Sequence, residues 1–317
     1  MSASTPIIGA EVVKRLPTTT APPDSSSIAR LVDRAQALLD RIDGLMNGQY
    51  GQRVATDWNG SPAFQWRKRG GSGRIEAVKH LHRISLDDLL GIDEQRARIE
   101  QNTVQFVRGY PANNVLLTGA RGTGKSSLIK ALLNRYASEN LRVIEVEKHD
   151  LIDLHEIVDQ VFSRPEKFIV FCDDLSFAED EPGYKALKVV LDGSLSAATE
   201  NVLIYATSNR RHLMPEKMRE NAETTYLDEE IHPGETVEEK ISLSERFGLW
   251  VSFYSFSQQQ YLQIVAHWLG HFEMKLTDPA RAAALQWALG RGSRSGRVAW
   301  HFARDWAGQQ KLAANSE

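Results

Sequence analysis

The chain has 317 residues, 38 of them Lys or Arg and 41 Asp or Glu, for a formal net charge of −3. That length allows one large core or two modest ones, and 42% hydrophobic with 25% charged residues excludes a globally disordered chain. A charge this near neutral gives no whole-chain case for binding nucleic acid, and the single cysteine, Cys172, excludes an internal disulfide or a cysteine-rich metal site.

Residues 1–27, rich in Ser, Thr and Pro, read as a flexible tail without the apolar core of a signal peptide. Residues 28–84 read as a helical and basic arm. Ser27 caps a helix carrying Ile28, Leu31, Ala35, Leu38, Leu39, Ile42 and Leu45, and a Gly-rich stretch follows with Trp58, Phe64, Trp66, Arg67, Lys68 and Arg69. Twelve Lys/Arg against seven Asp/Glu give residues 1–84 a local charge of +5, which suits either a solvated arm or contact with an acidic partner such as nucleic acid.

Between residues 85 and 256, apolar runs at Val115–Thr118, Val143–Val146, Phe168–Cys172, Val202–Ala206 and Leu249–Tyr254 alternate with helical patterns over the first four runs. Continuous apolar strands separated by helices predict a five-stranded parallel sheet covered on both faces. Residues 257–317 carry three amphipathic stripes and no strand pattern, which predicts a small helical lid. No internal repeat and no apolar run of about 18 residues is present, so no membrane-spanning helix is expected.

The strongest local signal is Gly119, Ala120, Arg121, Gly122, Thr123, Gly124, Lys125 and Ser126, a full GxxxxGK[ST] loop with Ser127 opening the helical run after it. Glycines let consecutive amide N–H groups turn inward around a phosphate, and the helix N-terminus adds partial positive charge. Lys125 then reaches the β- and γ-phosphates of a bound nucleotide, and the Ser126 hydroxyl ligates Mg²⁺. Phe168–Cys172 runs into Asp173 and Asp174, the carboxylate pair that such a loop requires: Asp173 for Mg²⁺, Asp174 to polarise the attacking water.

These motifs resemble those of the AAA+ P-loop ATPases, and further residues narrow the likeness. Ala206 to Arg211 resembles the sensor 1 element, with Asn209 at the polar position. Leu243 to Phe247 is similar to the segment that presents an arginine finger, with Arg246 as the finger, and Ser293 to Ala299 resembles sensor 2, with Arg297 matching and Arg294 as the alternative. Asp87 to Gln95 resembles the box before the phosphate loop, where Leu90, Gly91 and Ile92 would pack the adenine.

The resemblance spans about residues 86–306 and extends to a bacterial family of predicted ATPases of unassigned function. It implies an α/β fold with a three-layer AAA+ core and helical lid. It also implies an ATP hydrolase using Mg²⁺, and a homo-oligomer in which Arg246 acts in trans. Asp174 departs from the glutamate usual at that place, and no aromatic–hydrophobic–glycine pore loop follows the second strand, where Glu147 to His155 stands. Two functions are therefore expected: an oligomeric ATPase that remodels an unidentified macromolecular partner, or a nucleotide-dependent switch with negligible turnover. The segment 212–245, with ten Asp/Glu against three Lys/Arg, is an acidic docking loop, a segment ordered by a neighbouring subunit, or a solvated loop. A cytoplasmic location follows from cysteine usage and the expected absence of a membrane span.

Overall fold

The computed structural model describes residues 34–36, 38, 56–69, 72–177, 181–192, 200–210, 213, 225–227, 230–232 and 243–314. The chain divides into two units, Met1–Ala55 and Thr56–Glu317. In the first, residues 34–36 and 38 are helical and exposed; the expected tail and the rest of the arm helix lie outside the described residues.

The second unit is built on a sheet of seven strands, not the expected five. In chain order they are β1 (Ala63–Arg69), β2 (Ser72–Ala77), β3 (Val115–Gly119), β4 (Leu141–Glu145), β5 (Lys167–Cys172), β6 (Val202–Ser208) and, after a separate short hairpin of β7 (Thr225–Leu227) and β8 (Glu230–His232), β9 (Leu249–Phe253). Across the sheet the order is β2-β1-β4-β5-β6-β3-β9. Every pairing is parallel except that of β1 with β2, which run antiparallel in the register Phe64↔Ala77 to Arg69↔Ser72.

The two extra strands come from the stretch expected to be a basic arm. Phe64 and Trp66 are buried while Gln65 and Arg67 face outward, the two-residue alternation of a half-buried strand. Trp66 donates its indole N–H to Asp153 Oδ2 at 3.1 Å, and its ring fills the space where a Cβ on Gly73 would lie, 1.8 Å from the ring carbon Cζ2. The basic residues are paired: Arg67 with Glu147 at 3.4 Å and Lys68 with Asp153 at 2.8 Å.

Helices α1 (Asp93–Val107), α2 (Lys125–Tyr136), α3 (Leu154–Val161) and α4 (Pro182–Leu191) connect the strands. Two apolar clusters cover the two faces. Leu117, Ile169 and Tyr205 face one cluster with Ile99, Leu128 and Leu132, whereas Leu116, Val170 and Ile204 face the other with Leu154, Ile157 and Leu187. All seven residues of β6 are buried, as a central parallel strand requires.

The lid consists of α5 (Gln258–Gly270), α6 (Asp278–Gly290) and α7 (Gly296–Ala314). Ser257 caps α5 reciprocally: its hydroxyl accepts from the Gln260 N–H, and the Gln260 side chain accepts from the Ser257 N–H. Alanines at 280, 284 and 288 on α6 and at 299, 303 and 307 on α7 are buried, and Tyr261 bridges α5 to the Ala284 carbonyl at 3.2 Å. The lid joins the core cluster through Phe256, Tyr261 and Ile264. No helix among the described residues is long and apolar enough to cross a membrane.

Candidate nucleotide-binding site

The carboxyl ends of β3, β5 and β6 meet the lid around a cleft of about 720 Å³. The loop leaving β3 turns through glycines in the left-handed region, Gly119 at φ 123°, Gly122 at 74° and Gly124 at 101°. Gly119 has a second constraint: a Cβ there would sit 1.9 Å from the Phe253 carbonyl oxygen of β9. Any side chain would therefore part the loop from its neighbouring strand. Helix α2 starts at Lys125, so its unpaired N–H groups close the loop.

Lys125 is buried, and its ammonium donates to the Gly119 carbonyl at 2.7 Å, the Ala120 carbonyl at 2.8 Å and Asn209 Oδ1 at 3.1 Å. Burial lowers its pKa, and the nearby charges of Asp173 and Asp174 oppose that effect. The Ser126 hydroxyl donates to Asp173 Oδ1 at 2.6 Å, and Thr207 Oγ1 donates to the same oxygen. Two hydroxyls thus fix the orientation of one carboxylate.

Asp174 sits at φ 52° in the left-handed region. Its N–H donates to Thr207 Oγ1 at 2.9 Å, and its Oδ1 accepts from the Asn209 amide. Its Oδ2 lies 3.8 Å from the exposed Arg121 guanidinium. Asparagine and aspartate tolerate this backbone region several-fold better than other non-glycine residues. Here lies a physical reason for aspartate where the resemblance leads one to expect glutamate.

The cleft gathers most of the residues singled out from the sequence. Leu90, Ile92, Arg121, Gly122, Thr123, Gly124, Lys125, Ser126, Ser127, Asp173, Asp174, Asn209 and Arg297 all line it. Ala120 and Gly119 lie just behind it, as partners of Lys125, and Gly91 (φ 75°) backs onto the Phe256 ring. Arg297 belongs to the first turn of α7, and the adjoining Gly296 N–H donates to the Gly122 carbonyl at 2.9 Å, tying lid to phosphate loop. Arg294 is exposed and does not line the cleft.

Arg246 is not brought to the cleft. It lies in the turn before β9, at the amino ends of the parallel strands, pairs with Asp192, and borders a separate groove with Tyr110 and Asn113. Segment 212–245 falls largely outside the described residues, apart from Leu213, β7, β8 and the residues from Leu243 on. The sequence reading missed Phe256, Trp268 and Trp300, which line the apolar end of the cleft, and Thr207 beside Asp173. The aromatic residues carried a signal, since two of them lie in the amphipathic lid helices, but nothing in their spacing separates a cleft wall from the lid core.

A segment of 117 residues is 28% identical to the replication factor C large subunit of Nanoarchaeum equitans (strain Kin4-M), covering 35% of this chain and 27% of that one. The Thermotoga maritima RuvB Holliday junction branch migration motor is similar over 69% of this chain and 63% of its own, at 14% identity and a TM-score of 0.48. The FIGL-1 AAA domain in complex with ADP is similar over 71% of this chain and 73% of its own, at 18% identity and a TM-score of 0.47. The chain thus spans less than two thirds of the length of the first two. A family model described as a protein of unknown function, DUF815, matches residues 59–310. That match takes in the β1–β2 hairpin, the whole cleft and nearly all of the lid, and the chain belongs to the DUF815 family.

Proposed function

We propose that this protein binds ATP with Mg²⁺ in the cleft between β3 and the lid, and hydrolyses it as a homo-oligomer to remodel a macromolecular partner. The observation that carries the reading is the convergence of Lys125, Ser126, Asp173, Asp174 and Asn209 in one hydrogen-bonded network at the mouth of a glycine loop. Lys125 and Arg297 supply positive charge for the phosphates, and the loop N–H groups bind their oxygens. Leu89, Leu90, Ile92 and Phe256 form an apolar wall suited to a purine ring.

The side-by-side oxygens of Ser126 and Asp173, 2.6 Å apart, suit a hard divalent cation such as Mg²⁺, which would neutralise phosphate charge when bound. Asp174 accepts the proton of the attacking water, and Asn209, bonded to both Asp174 and Lys125, keeps that carboxylate and the ammonium in mutual register. Arg246, at the opposite end of the strands from its own cleft, would serve the cleft of a neighbouring copy, which makes turnover depend on assembly. The partner is a protein of unidentified class. Burial of Trp66 and the ion pairs of Arg67 and Lys68 weaken the case for nucleic acid at that stretch.

A second reading, a nucleotide-dependent switch with negligible turnover, is favoured by one observation. The short Asp174 side chain is already engaged by Asn209 and faced by Arg121. Steady-state phosphate release against protein concentration, for the wild type and Arg246→Ala, separates the two. Specific activity that rises with concentration and is lost in the variant supports the oligomeric ATPase. Tight ATP binding with no turnover at any concentration supports the switch, and absence of ATP binding refutes both.

A further inference from the structure

We propose that Asp88, His267 and His271 form a binding site for a zinc-class transition-metal ion that staples lid helix α5 to the turn in front of the cleft. His267 lies in the last turn of α5 and His271, four residues on, is its C-cap with helical backbone angles, which stacks both imidazoles on one face of the helix end. Asp88 comes from the far side of the junction, at the end of the short 3₁₀ turn Leu86–Asp88. Its Oδ1 lies 3.0 Å from Nε2 of His267 and 3.2 Å from Nε2 of His271, and the three ligand atoms all fall within 4.8 Å of one another.

The two spacings from Asp88 match a metal's ligand shell. Zinc–nitrogen bonds of about 2.0–2.1 Å in a tetrahedron place neighbouring ligand atoms about 3.3 Å apart. The carboxylate oxygen already sits at that spacing from both imidazoles, whose two nitrogens, within 4.8 Å of each other, would close on an ion by rotation of the side chains. The carboxylate is also held from behind. Asp88 Oδ2 accepts the Ser85 N–H at 2.8 Å in a capping box, which leaves Oδ1 directed at the imidazoles. Two imidazoles and one carboxylate oxygen suit zinc and its neighbours and not magnesium or calcium, which take oxygen ligands. Three protein ligands leave one position for water, as in open zinc sites.

The position gives the ion a consequence. Asp88 and Trp268 both line the cleft, and the Trp268 ring lies 5.0 Å from His267 and 4.9 Å from His271. Metal bound here would fix α5 against the residues immediately ahead of Leu89, Leu90 and Ile92, and so hold the lid over the purine end of the cleft. The site is separate from Ser126 and Asp173 and stands whether or not the protein hydrolyses ATP.

The test uses the full chain stripped of metal and titrated calorimetrically with Zn²⁺ in excess Mg²⁺, with Co²⁺ as a spectroscopic probe. Expected are one equivalent of bound Zn²⁺ and the intense visible absorption of four-coordinate cobalt. In His271→Gln, an exposed position, affinity should fall by more than about a hundredfold and the cobalt band should vanish. Asp88→Asn should weaken binding likewise, and His155→Gln, an exposed histidine on α3, should leave it unchanged. Circular dichroism establishes that each variant is folded. No stoichiometric Zn²⁺ binding in the wild type, or binding equal in wild type and folded His271→Gln, would overturn the proposal.

Discussion

Replacing Asp174 by asparagine isolates its charge from its geometry. Asparagine accepts φ 52° as readily as aspartate, and its carbonyl oxygen can still accept the Asn209 amide, so the variant should fold and keep the local arrangement. What disappears is the basic oxygen, in a side chain 56% exposed and therefore reachable by water. Loss of a positioned base costs about 10²–10⁴-fold in rate, or roughly 3–5 kcal/mol in the barrier. ATP affinity should hold or improve, because a negative charge near the phosphates has gone. Asp174→Glu is the complementary change. It restores the charge and adds the methylene that the resemblance leads one to expect, but a glutamate in the left-handed region costs about 1–2 kcal/mol. For a unit of this size that strain lowers the thermal midpoint by roughly 2–8 °C. Phosphate release at saturating ATP, with calorimetry for binding and circular dichroism for folding, reads all three quantities. An asparagine variant that keeps more than about a third of the wild-type rate would refute the assignment of Asp174 as base.

Lys125→Ala should raise the Kd for ATP by about 10- to 150-fold, the worth of a charged hydrogen bond of roughly 1.5–3 kcal/mol, and an unchanged Kd by calorimetry contradicts the phosphate role. Tyr205→Phe removes the hydroxyl that lies 3.0 Å from Asn102 Nδ2 and 2.9 Å from Thr103 Oγ1 in the core, and should cost about 1–3 kcal/mol in urea unfolding without changing nucleotide affinity. Burial pushes the same phenol up to about 12, above its ordinary value near 10. Its contribution to stability is thus complete below about pH 10 and lost as pH rises through about 12, and the alkaline loss of stability should be shallower in Tyr205→Phe. Gly73→Ala places a methyl in the Trp66 ring, and should cost about 1–3 kcal/mol and alter the near-ultraviolet tryptophan signal; a spectrum and stability like the wild type's would show that the hairpin is not packed as described.

The central strands were legible because each is a short, continuous apolar run bounded by turns, as β3, β5 and β6 show. The hairpin was not. Its charges and glycines outweighed an alternation in which only Phe64, Trp66 and Ile75 face the core, and the acids that neutralise Arg67 and Lys68 sit some 80 residues away at Glu147 and Asp153. Gathering Leu90, Lys125, Asp173, Asn209 and Arg297 around one cleft followed from motifs whose spacing is tied to strand ends. The backbone angle of Asp174 had no signature, because the turn that sets it depends on Thr207 from another strand. The same holds for Arg246, whose partner Asp192 is 54 residues earlier.

The place of β3 in the sheet bears on how the chain acquires its site during synthesis. One neighbour, β6, lies about 90 residues downstream, and the other, β9, pairs Thr118 with Ser252, 134 residues downstream. At ribosomal rates of about 5–20 residues per second, β3 emerges roughly 7–27 s before its last flank. Gly119 rests on the Phe253 carbonyl, so the phosphate loop has no floor until β9 is made. A nascent chain halted before residue 249 would expose Val115, Leu116 and Leu117 along an open edge, and ligand could rescue the fold only after synthesis had passed that point.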